Sequence, residues 1–376
     1  MKKKIIPFLL FTALLTTACG RLKDSDISNN ATTTNQKAKS YQTTATGNDG
    51  YSVLLKNGKY LTSPIAGLSG TTNAGSTDDR ELERGLIDIS KKIYSPNSFV
   101  FQEGQYISET TGSDWLGRYS KSNSTGLNPE NKGKTHRPRY LEQIVEQDYL
   151  TGSGQNYSIA GMSIGLGMNS TDYYQKTSGG PTYTASISKS DQRKYGEEYA
   201  NIIVKRLRQK KALKNIPITV ALYSKASEDS LTSGAYFAYG TADKNSSKIT
   251  KWKRVSVKWQ VLPTVGSAKA YNSQDSANFV NFKGAIQNYF PNISGVIGYL
   301  RYQDGKLAQE NITITTQFYG YEQVQSFARL VLNTAKKYLS NDVPIEIQIS
   351  SVNDVQAVVF KESSDSSYQL HIYGGE

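Results

Sequence analysis

The chain has 376 residues, a formal net charge of +12, 26 Tyr, two His and one Cys. A single cysteine excludes an internal disulfide, and two histidines without an HExxH motif argue against a zinc hydrolase. The length predicts two domains. The basic charge suits an anionic neighbour such as lipid headgroups or wall polymers. Lys and Arg are spread along the whole chain and do not form the basic stripe of a nucleic-acid-binding protein.

The amino end has the pattern of an exported lipoprotein. Three lysines precede an apolar run from Ile5 to Leu15, which is too short to span a bilayer and is typical of a signal peptide. Cys19 follows three small residues, as the lipidated cysteine of a bacterial lipobox does. We therefore predict a signal peptide at residues 1–18, lipidation of Cys19, and a location on the outer face of the cytoplasmic membrane. A plain signal peptide with an incidental cysteine is the alternative, because Thr16 stands where a lipobox usually has Leu.

Residues 19–78 are predicted to form the lipid anchor and a flexible tether. The segment is rich in Ser, Thr, Asn, Gly and Lys and has little apolar periodicity, so it buries too little surface to offset the entropy lost on ordering. One part differs, because apolar residues flank Asn57 and Gly58 on both sides. That pattern predicts a small hairpin packed on the first domain.

The rest of the chain reads as two α+β units with antiparallel-rich sheets and packed helices. The first unit, residues 79–262, has predicted helices at 80–94, 140–149 and 191–213 and predicted strands at 99–107, 159–168, 216–223, 235–241 and 249–257. Residues 263–274 are the predicted linker. The second unit, residues 275–376, begins with a helix, continues with two strands and another helix, and ends with three strands.

The second unit repeats the first. Asn215–Ser224 and Asp342–Ser351 both have proline at their third position and then run into β-branched and apolar residues, as strands do after a helix has ended. The helical patterns before these two strands have the same phase. Further upstream, Met162, Ile164 and Met168 align with Ile312, Ile314 and Phe318. These correspondences predict a tandem duplication of one α+β unit.

The two units differ around a glycine-rich strand in the first. Alternation places Gly161, Gly165 and Gly167, with Ser163, on one face of this strand, and the second unit has Thr313, Thr315 and Gln317 on the corresponding face. Glycine inside a strand often marks the close approach of a ligand or of another backbone. The bare face is therefore either covered by residues 169–190 or open as a ligand groove.

Residues 169–190 have no counterpart in the second unit and are the best functional candidate of the sequence. The proposed ligand-binding residues of this insertion are Tyr173, Tyr174, Gln175, Gly180, Pro181 and Tyr183. Aromatic rings beside amides on a loop suit a peptide, a glycan or an envelope polymer. The alternative is that the insertion is a covering flap.

The acidic residues give only weak support for catalysis. Glu142, Glu146 and Asp148 lie in a predicted helix and are interpreted as surface charge, and Glu103 is interpreted as part of a polar strand end. We expect no catalytic residues, no cofactor, no metal and a monomeric protein. An envelope hydrolase or transferase that uses a carboxylate is the alternative function.

Several segments together resemble the CamS sex pheromone lipoproteins of Gram-positive bacteria. They are Glu83–Leu86, Gln102–Tyr106, Gly126–Pro129, Glu146–Tyr149, Tyr173–Gln175 with Gly180 and Pro181, Val204–Arg208, Tyr236–Tyr239 and Asn288–Pro291. The resemblance implies a lipid-anchored surface protein with a duplicated α+β domain and no enzymatic activity. It also implies that the signal peptide releases a short apolar peptide. Here that heptamer is Thr12–Ala18, whose three threonines fit an apolar receptor groove poorly, because each buried hydroxyl needs a partner.

Overall fold

The computed structural model describes residues 40–44, 50–70, 76–133, 135–289, 293–351, 354–363 and 365–374. The predicted signal peptide and Cys19 lie outside these residues. The strands are β1 (Tyr41–Thr43), β2 (Leu54–Lys56), β3 (Lys59–Tyr60), β4 (Val100–Glu103), β5 (Leu141–Ser153), β6 (Asn156–Met168), β7 (Thr171–Gln175), β8 (Thr182–Ser186), β9 (Ile218–Ser224), β10 (Ala235–Ala242), β11 (Trp252–Arg254), β12 (Val257–Leu262), β13 (Ile293–Gln303), β14 (Lys306–Thr316), β15 (Ile345–Ser350), β16 (Val355–Lys361) and β17 (Gln369–Ile372). The helices are α1 (Ser76–Ser90), α2 (Glu109–Leu116), α3 (Lys189–Leu207), α4 (Ser273–Gln287) and α5 (Tyr321–Tyr338), with a 3₁₀ turn at Lys211–Leu213.

Two six-stranded sheets with the same topology form the body of the protein. Their strand orders are β11-β10-β9-β6-β5-β4 and β17-β16-β15-β14-β13-β12. In each sheet one central pair is parallel, β6 with β9 and β14 with β15, and the crossover helix α3 or α5 connects it. The other helix, α2 or α4, connects the edge strand to the first strand of the long hairpin. The α+β class is therefore confirmed, and the common topology supports a tandem duplication.

The two proline-opened strands are equivalent, and their prolines set the register. The carbonyl of Pro217 accepts a hydrogen bond from the backbone N–H of Met162, and that of Pro344 accepts one from Glu310. Met162 therefore corresponds to Glu310 in the fold. The sequence alignment instead pairs Met162 with Ile312, which lies two residues later. Two residues are one strand period, so every side chain keeps its face and the counterpart of Gly165 is Thr313.

The boundary between the units lies earlier than the sequence suggests. Strand β12 pairs with β13 over Val257–Leu262, so the last residues assigned to the first unit belong to the second sheet. The predicted linker, residues 263–274, consequently lies inside the second unit, where it connects β12 to α4 and includes the first two residues of that helix. The sequence could not show this, because the partner of a short strand is fixed by pairing with a distant segment.

Residues 140–149, predicted as a helix, form most of β5. The apolar residues at 141, 144, 145 and 149 fit a helical period, but the strand is buried on both faces, so the alternation expected of a half-exposed strand is absent. A bulge between Leu141 and Gln143 disturbs the period further.

Part of the predicted tether is folded. The expected hairpin forms from β2 and β3, with Asn57 and Gly58 at φ values of 54° and 71°. Strand β1 pairs with β2, and Val53 bridges to Phe101 of the first sheet. Residues 50–70 therefore pack on the first unit, as the sequence predicted for this hairpin.

Within the described ranges, helices pack their apolar sides on both faces of the first sheet and on one face of the second. Helix α3 packs on one face of the first sheet around Met162, Ile164, Val220 and Leu222, and α1 packs on the other with Leu82, Leu86 and Ile89. In the second sheet α4 and α5 pack on the same face. Among the helices of the described ranges, none has the length and apolar character needed to cross a membrane.

Candidate functional site

The glycine face of β6 is closed. A Cβ on Gly161 would overlap the ring of Tyr94, and a Cβ on Gly165 would lie 2.7 Å from Oη of Tyr236 and 3.3 Å from Leu86. Gly167 faces Gln143 and the aliphatic part of Lys225. The glycines thus make room for neighbouring side chains, as small residues at a close approach do.

The cover over this face is α1 together with buried tyrosines, and both predicted alternatives are wrong. Ser90, at the end of α1, places its Oγ 2.7 Å from Oγ of Ser163 on β6. The hydroxyl of Tyr94 donates to the carbonyl of Met162 over 3.0 Å. The sequence could not identify the cover, because the periodicity of α1 shows that it buries a face but not which strand it meets.

The insertion is a two-stranded hairpin, which we call the tyrosine hairpin (Thr171–Ser186). Tyr174 of β7 lies directly opposite Tyr183 of β8. The turn is closed by a hydrogen bond from the backbone N–H of Gly180 to the carbonyl of Thr177, and Oε1 of Gln175 accepts a further bond from Gly179. Gln175 and Gly180 therefore shape the turn, while Pro181 is exposed beside it.

Three rings form a row on the tyrosine hairpin. Tyr174 stacks on His136 with ring centroids 3.5 Å apart and on Tyr183 at 5.7 Å. His136 is held by Asp172, whose Oδ2 lies 2.5 Å from Nε2. Tyr183 ends the row with 38% of its surface exposed, and Nζ of Lys176 lies 4.3 Å from its ring centroid. The row therefore ends in one exposed aromatic ring with a positive charge beside it.

Tyr173 has a different role. Its hydroxyl accepts a hydrogen bond from the backbone N–H of Glu228 over 3.1 Å, so it connects the tyrosine hairpin to the loop after β9. Of the nine predicted ligand-binding residues, the structure thus leaves Tyr174, Tyr183 and Pro181 as contact candidates. Tyr173, Gln175 and Gly180 support the hairpin, and the three glycines of β6 are packed away from it.

All three acidic residues of residues 140–149 that were interpreted as surface charge, Glu142, Glu146 and Asp148, are buried on β5. Glu146 accepts hydrogen bonds from the backbone N–H groups of Tyr106 (2.9 Å) and Ile107 (2.8 Å), and Asp148 accepts one from Gln105 (3.0 Å). Burial raises the pKa of both carboxyl groups, and the charge of Glu146 raises that of Asp148 further. The pair fastens the turn that follows β4. The helical interpretation of this segment had placed these side chains in solvent.

The carboxylates converge on a cavity too small for most substrates. Glu83, Glu103 and Glu146 line a cavity of about 150 Å³, whereas ligand pockets typically enclose about 300–1,000 Å³. The carboxylate of Glu103 accepts hydrogen bonds from the hydroxyl of Tyr60 and from the backbone N–H of Ser63, each over 2.6 Å. Within the described ranges, no three His, Cys, Asp or Glu side chains are grouped as metal ligands would be.

The family profile described as CamS sex pheromone cAM373 precursor matches residues 60–367, so the chain belongs to this family, as its motifs predicted. A crystal structure of a sex pheromone precursor from Lactobacillus salivarius subsp. salivarius UCC118 is 38% identical. The match covers 89% of this chain and 100% of that one with a TM-score of 0.84.

A second solved structure is the C-terminal domain of the sex pheromone staph-cAM373 precursor from Staphylococcus aureus. It is 30% identical, and the match covers 80% of this chain and 98% of that one with a TM-score of 0.69. A search of curated proteins finds no matching sequence. These similarities establish the family and the fold.

Proposed function

We propose that the chain is a lipid-anchored protein on the outer face of the cytoplasmic membrane, without enzymatic activity, that binds a peptide or glycan through the tyrosine hairpin. The family supports the first part, because it comprises sex pheromone precursors. The lipobox-like sequence around Cys19 supports the anchor.

The observation that carries the binding proposal is a row of stacked rings on the insertion that ends in the exposed ring of Tyr183. Tyr183, Tyr174 and His136 stack in the first unit, whereas in the second unit only residues 317–320 separate β14 from α5. A rigid aromatic surface at the end of a sheet can stack on a sugar ring or an apolar side chain at small entropic cost. Lys176 and the amide of Gln175 lie close enough to add polar contacts.

The binding proposal is tested with Tyr183→Ala and Tyr174→Ala. Titration of soluble muropeptides and short peptides should show each variant weakened about two- to tenfold, because a stacked ring contributes about 0.5–1.5 kcal/mol beyond its buried area. Tyr319→Ala is the matched control, since Tyr319 is 79% exposed at the corresponding connection of the second unit. Equal affinity of the wild type and Tyr183→Ala for every probe would contradict the proposal.

The anchor is tested separately. Cys19→Ala should abolish fatty-acid labelling and release the protein into the medium or leave an unprocessed precursor. Unchanged labelling would overturn this part of the proposal. The same cultures test the signal-derived peptide, because mass spectrometry of the medium should detect fragments of Thr12–Ala18 only when the precursor is processed.

A carboxylate-based envelope hydrolase or transferase has less support. Both oxygens of Glu146 are bonded to backbone N–H groups, and Asp148 is 2% exposed. A catalytic acid must reach its substrate, and these two carboxyl groups are enclosed by protein.

A further inference from the structure

A crevice with a volume of about 580 Å³ lies where the first sheet passes into the second. One wall comes from the end of β9 and the loop and strand after it, between residues 224 and 237, and the other from residues 254–259, which join β11 to β12. The first turn of α3 closes one side. The crevice is thus at the carboxyl ends of the parallel strands β6 and β9, a common position for ligand sites in sheets with crossover helices.

The charged side chains that line the crevice all carry positive charge. They are Lys189, Arg193, Lys225, Arg254 and Lys258, and no Asp or Glu of the described ranges lines it. They come from three separate segments of the chain. Like charges gathered around a concave surface raise the local positive potential and attract anions.

Three of these five cations have no carboxylate partner in the described part of the chain. Nζ of Lys225 lies 3.0 Å from Oε1 of Gln143 and 3.5 Å from Asp79, and Arg193 pairs with Glu197 at 2.7 Å. Within the described part of the chain, Lys189, Arg254 and Lys258 form no ion pair, and Nζ of Lys258 lies 4.6 Å from the ring centroid of Tyr271. A bound anion can therefore neutralise the charges of these three side chains.

The walls between the cations carry hydroxyl groups and aromatic rings. The hydroxyl residues are Ser224, Ser230, Thr232, Ser233 and Ser256. Phe237 and Trp259 add apolar surface. Hydroxyl groups donate to anionic oxygens and accept from alcohols, while the rings cover the carbon backbone of a sugar or polyol. The lining therefore matches a ligand that alternates anionic groups with hydroxylated carbon.

We propose that this crevice binds a phosphodiester-linked polyol polymer through its phosphate groups. Each diester presents one negative charge and two free acceptor oxygens per repeat, which suits cations distributed over three segments better than one carboxylate would. The phosphate of a lipid headgroup shares this chemistry. A recessed crevice between two sheets favours a flexible soluble chain over headgroups fixed in a membrane plane.

The test measures binding of the full chain, purified in neutral detergent, to soluble poly(glycerol phosphate) by calorimetry at physiological salt. The crevice variant is Arg254→Gln with Lys258→Gln. The matched control is Lys251→Gln with Lys253→Gln, which removes the same charge from exposed positions of the same segment that do not line the crevice. We expect the crevice variant to bind at least tenfold more weakly and the control to stay within twofold of the wild type.

Two comparisons identify the source of the phosphate and separate this site from the tyrosine hairpin. Inorganic phosphate and monomeric dihexanoylphosphatidylglycerol should compete only weakly, and equal competition by the lipid would overturn the polymer as ligand. Tyr183→Ala should bind the polymer like the wild type, so failure of the hairpin proposal leaves this one intact. Absence of polymer binding, or equal loss in both double variants, would overturn the proposal.

Discussion

The same face of the two sheets is built in opposite ways. In the first unit, Gly161, Gly165 and Gly167 let α1 and the ring of Tyr94 approach the backbone of β6. In the second unit the corresponding strand has Gln309, Thr313 and Thr315, and this face carries polar side chains in place of an apolar helix contact. The absence of side chains at these three positions of β6 therefore makes room for α1 in the first unit.

Helix α1 also contacts the second unit with its outer face. Asp88 of α1 lies 3.7 Å from Arg301 of β13, and Arg84 lines a cavity with Gln309, Asn311 and Phe360 of the second sheet. The added helix thus buries its apolar side on the glycine face and directs its charged side toward the polar face of the other copy. Matched substitutions in the two units test this arrangement.

The largest effect is expected from Gly165→Val. The new side chain would overlap Tyr236, whose hydroxyl donates to the carbonyl of Leu82 over 2.7 Å and cannot move without losing that bond. We expect the free energy of unfolding to fall by about 3 kcal/mol, as for overpacked cores. The control Thr313→Val keeps a β-branched residue on the half-buried face of β14 and should change stability by less than about 0.5 kcal/mol. Equal thermal stability of the two variants would show that the glycine face is open in solution.

The second effect is a pH dependence of stability that comes from a buried carboxyl group. Each unit has one such group in the same pair of neighbouring strands. Asp148 lies opposite Met162 in the first unit, and Glu310 lies opposite Leu300 in the second. Burial, and to a lesser degree Asp275, raises the pKa of Glu310 to about 8. The folded protein therefore holds this proton to a higher pH than the unfolded chain does. The contribution of Glu310 to the free energy of unfolding is complete below the unfolded pKa of about 4.5, and it declines as the pH rises toward 8.

Glu310→Gln should remove this decline. At pH 8.5 the variant should be about 2 kcal/mol more stable than the wild type, with little difference at pH 4.5. Urea unfolding at several pH values measures the slope. Glu346→Gln, at an exposed position of β15, is the control. A pH dependence that stays parallel to that of the wild type would show that Glu310 does not titrate as described.

A smaller effect is expected from Ser163→Ala. The variant loses the hydrogen bond to Ser90 inside the interface with α1 and should lose about 1 kcal/mol of stability. Asn311→Ala is the matched change on the half-buried face of the second unit and should be close to neutral. Chemical denaturation resolves the difference, and a larger loss for Asn311→Ala would reverse the comparison.

The smallest effect is the coupling between α1 and the second unit. A double-mutant cycle with Asp88→Asn and Arg301→Gln should give a coupling energy of about 0.5 kcal/mol, because Asp88 is partly exposed to solvent. The coupling should weaken at high salt. A value of zero at low salt would mean that α1 belongs energetically to the first unit alone.

Several features of the fold are encoded in local sequence patterns and could be predicted from them. The prolines before β9 and β15 mark the start of equivalent strands, Asn57 and Gly58 fix a hairpin turn through their positive φ angles, and the phase of α3 and α5 shows which sides are buried. The absence of a counterpart for the tyrosine hairpin was also visible. Each of these signals is a local pattern, or a comparison of two local patterns in the repeated units.

The tertiary structure alone decided which segments meet. Only strand pairing assigned β12 to the second sheet, and only packing brought α1 over the glycines of β6. Because β5 is buried on both faces, its sequence lacks the alternation of a half-exposed strand. Neither the strand nor the buried environment of Glu146 and Asp148 could therefore be predicted. Such contacts join residues far apart in the chain, and their energy depends on the shape of both partners, which no local pattern records.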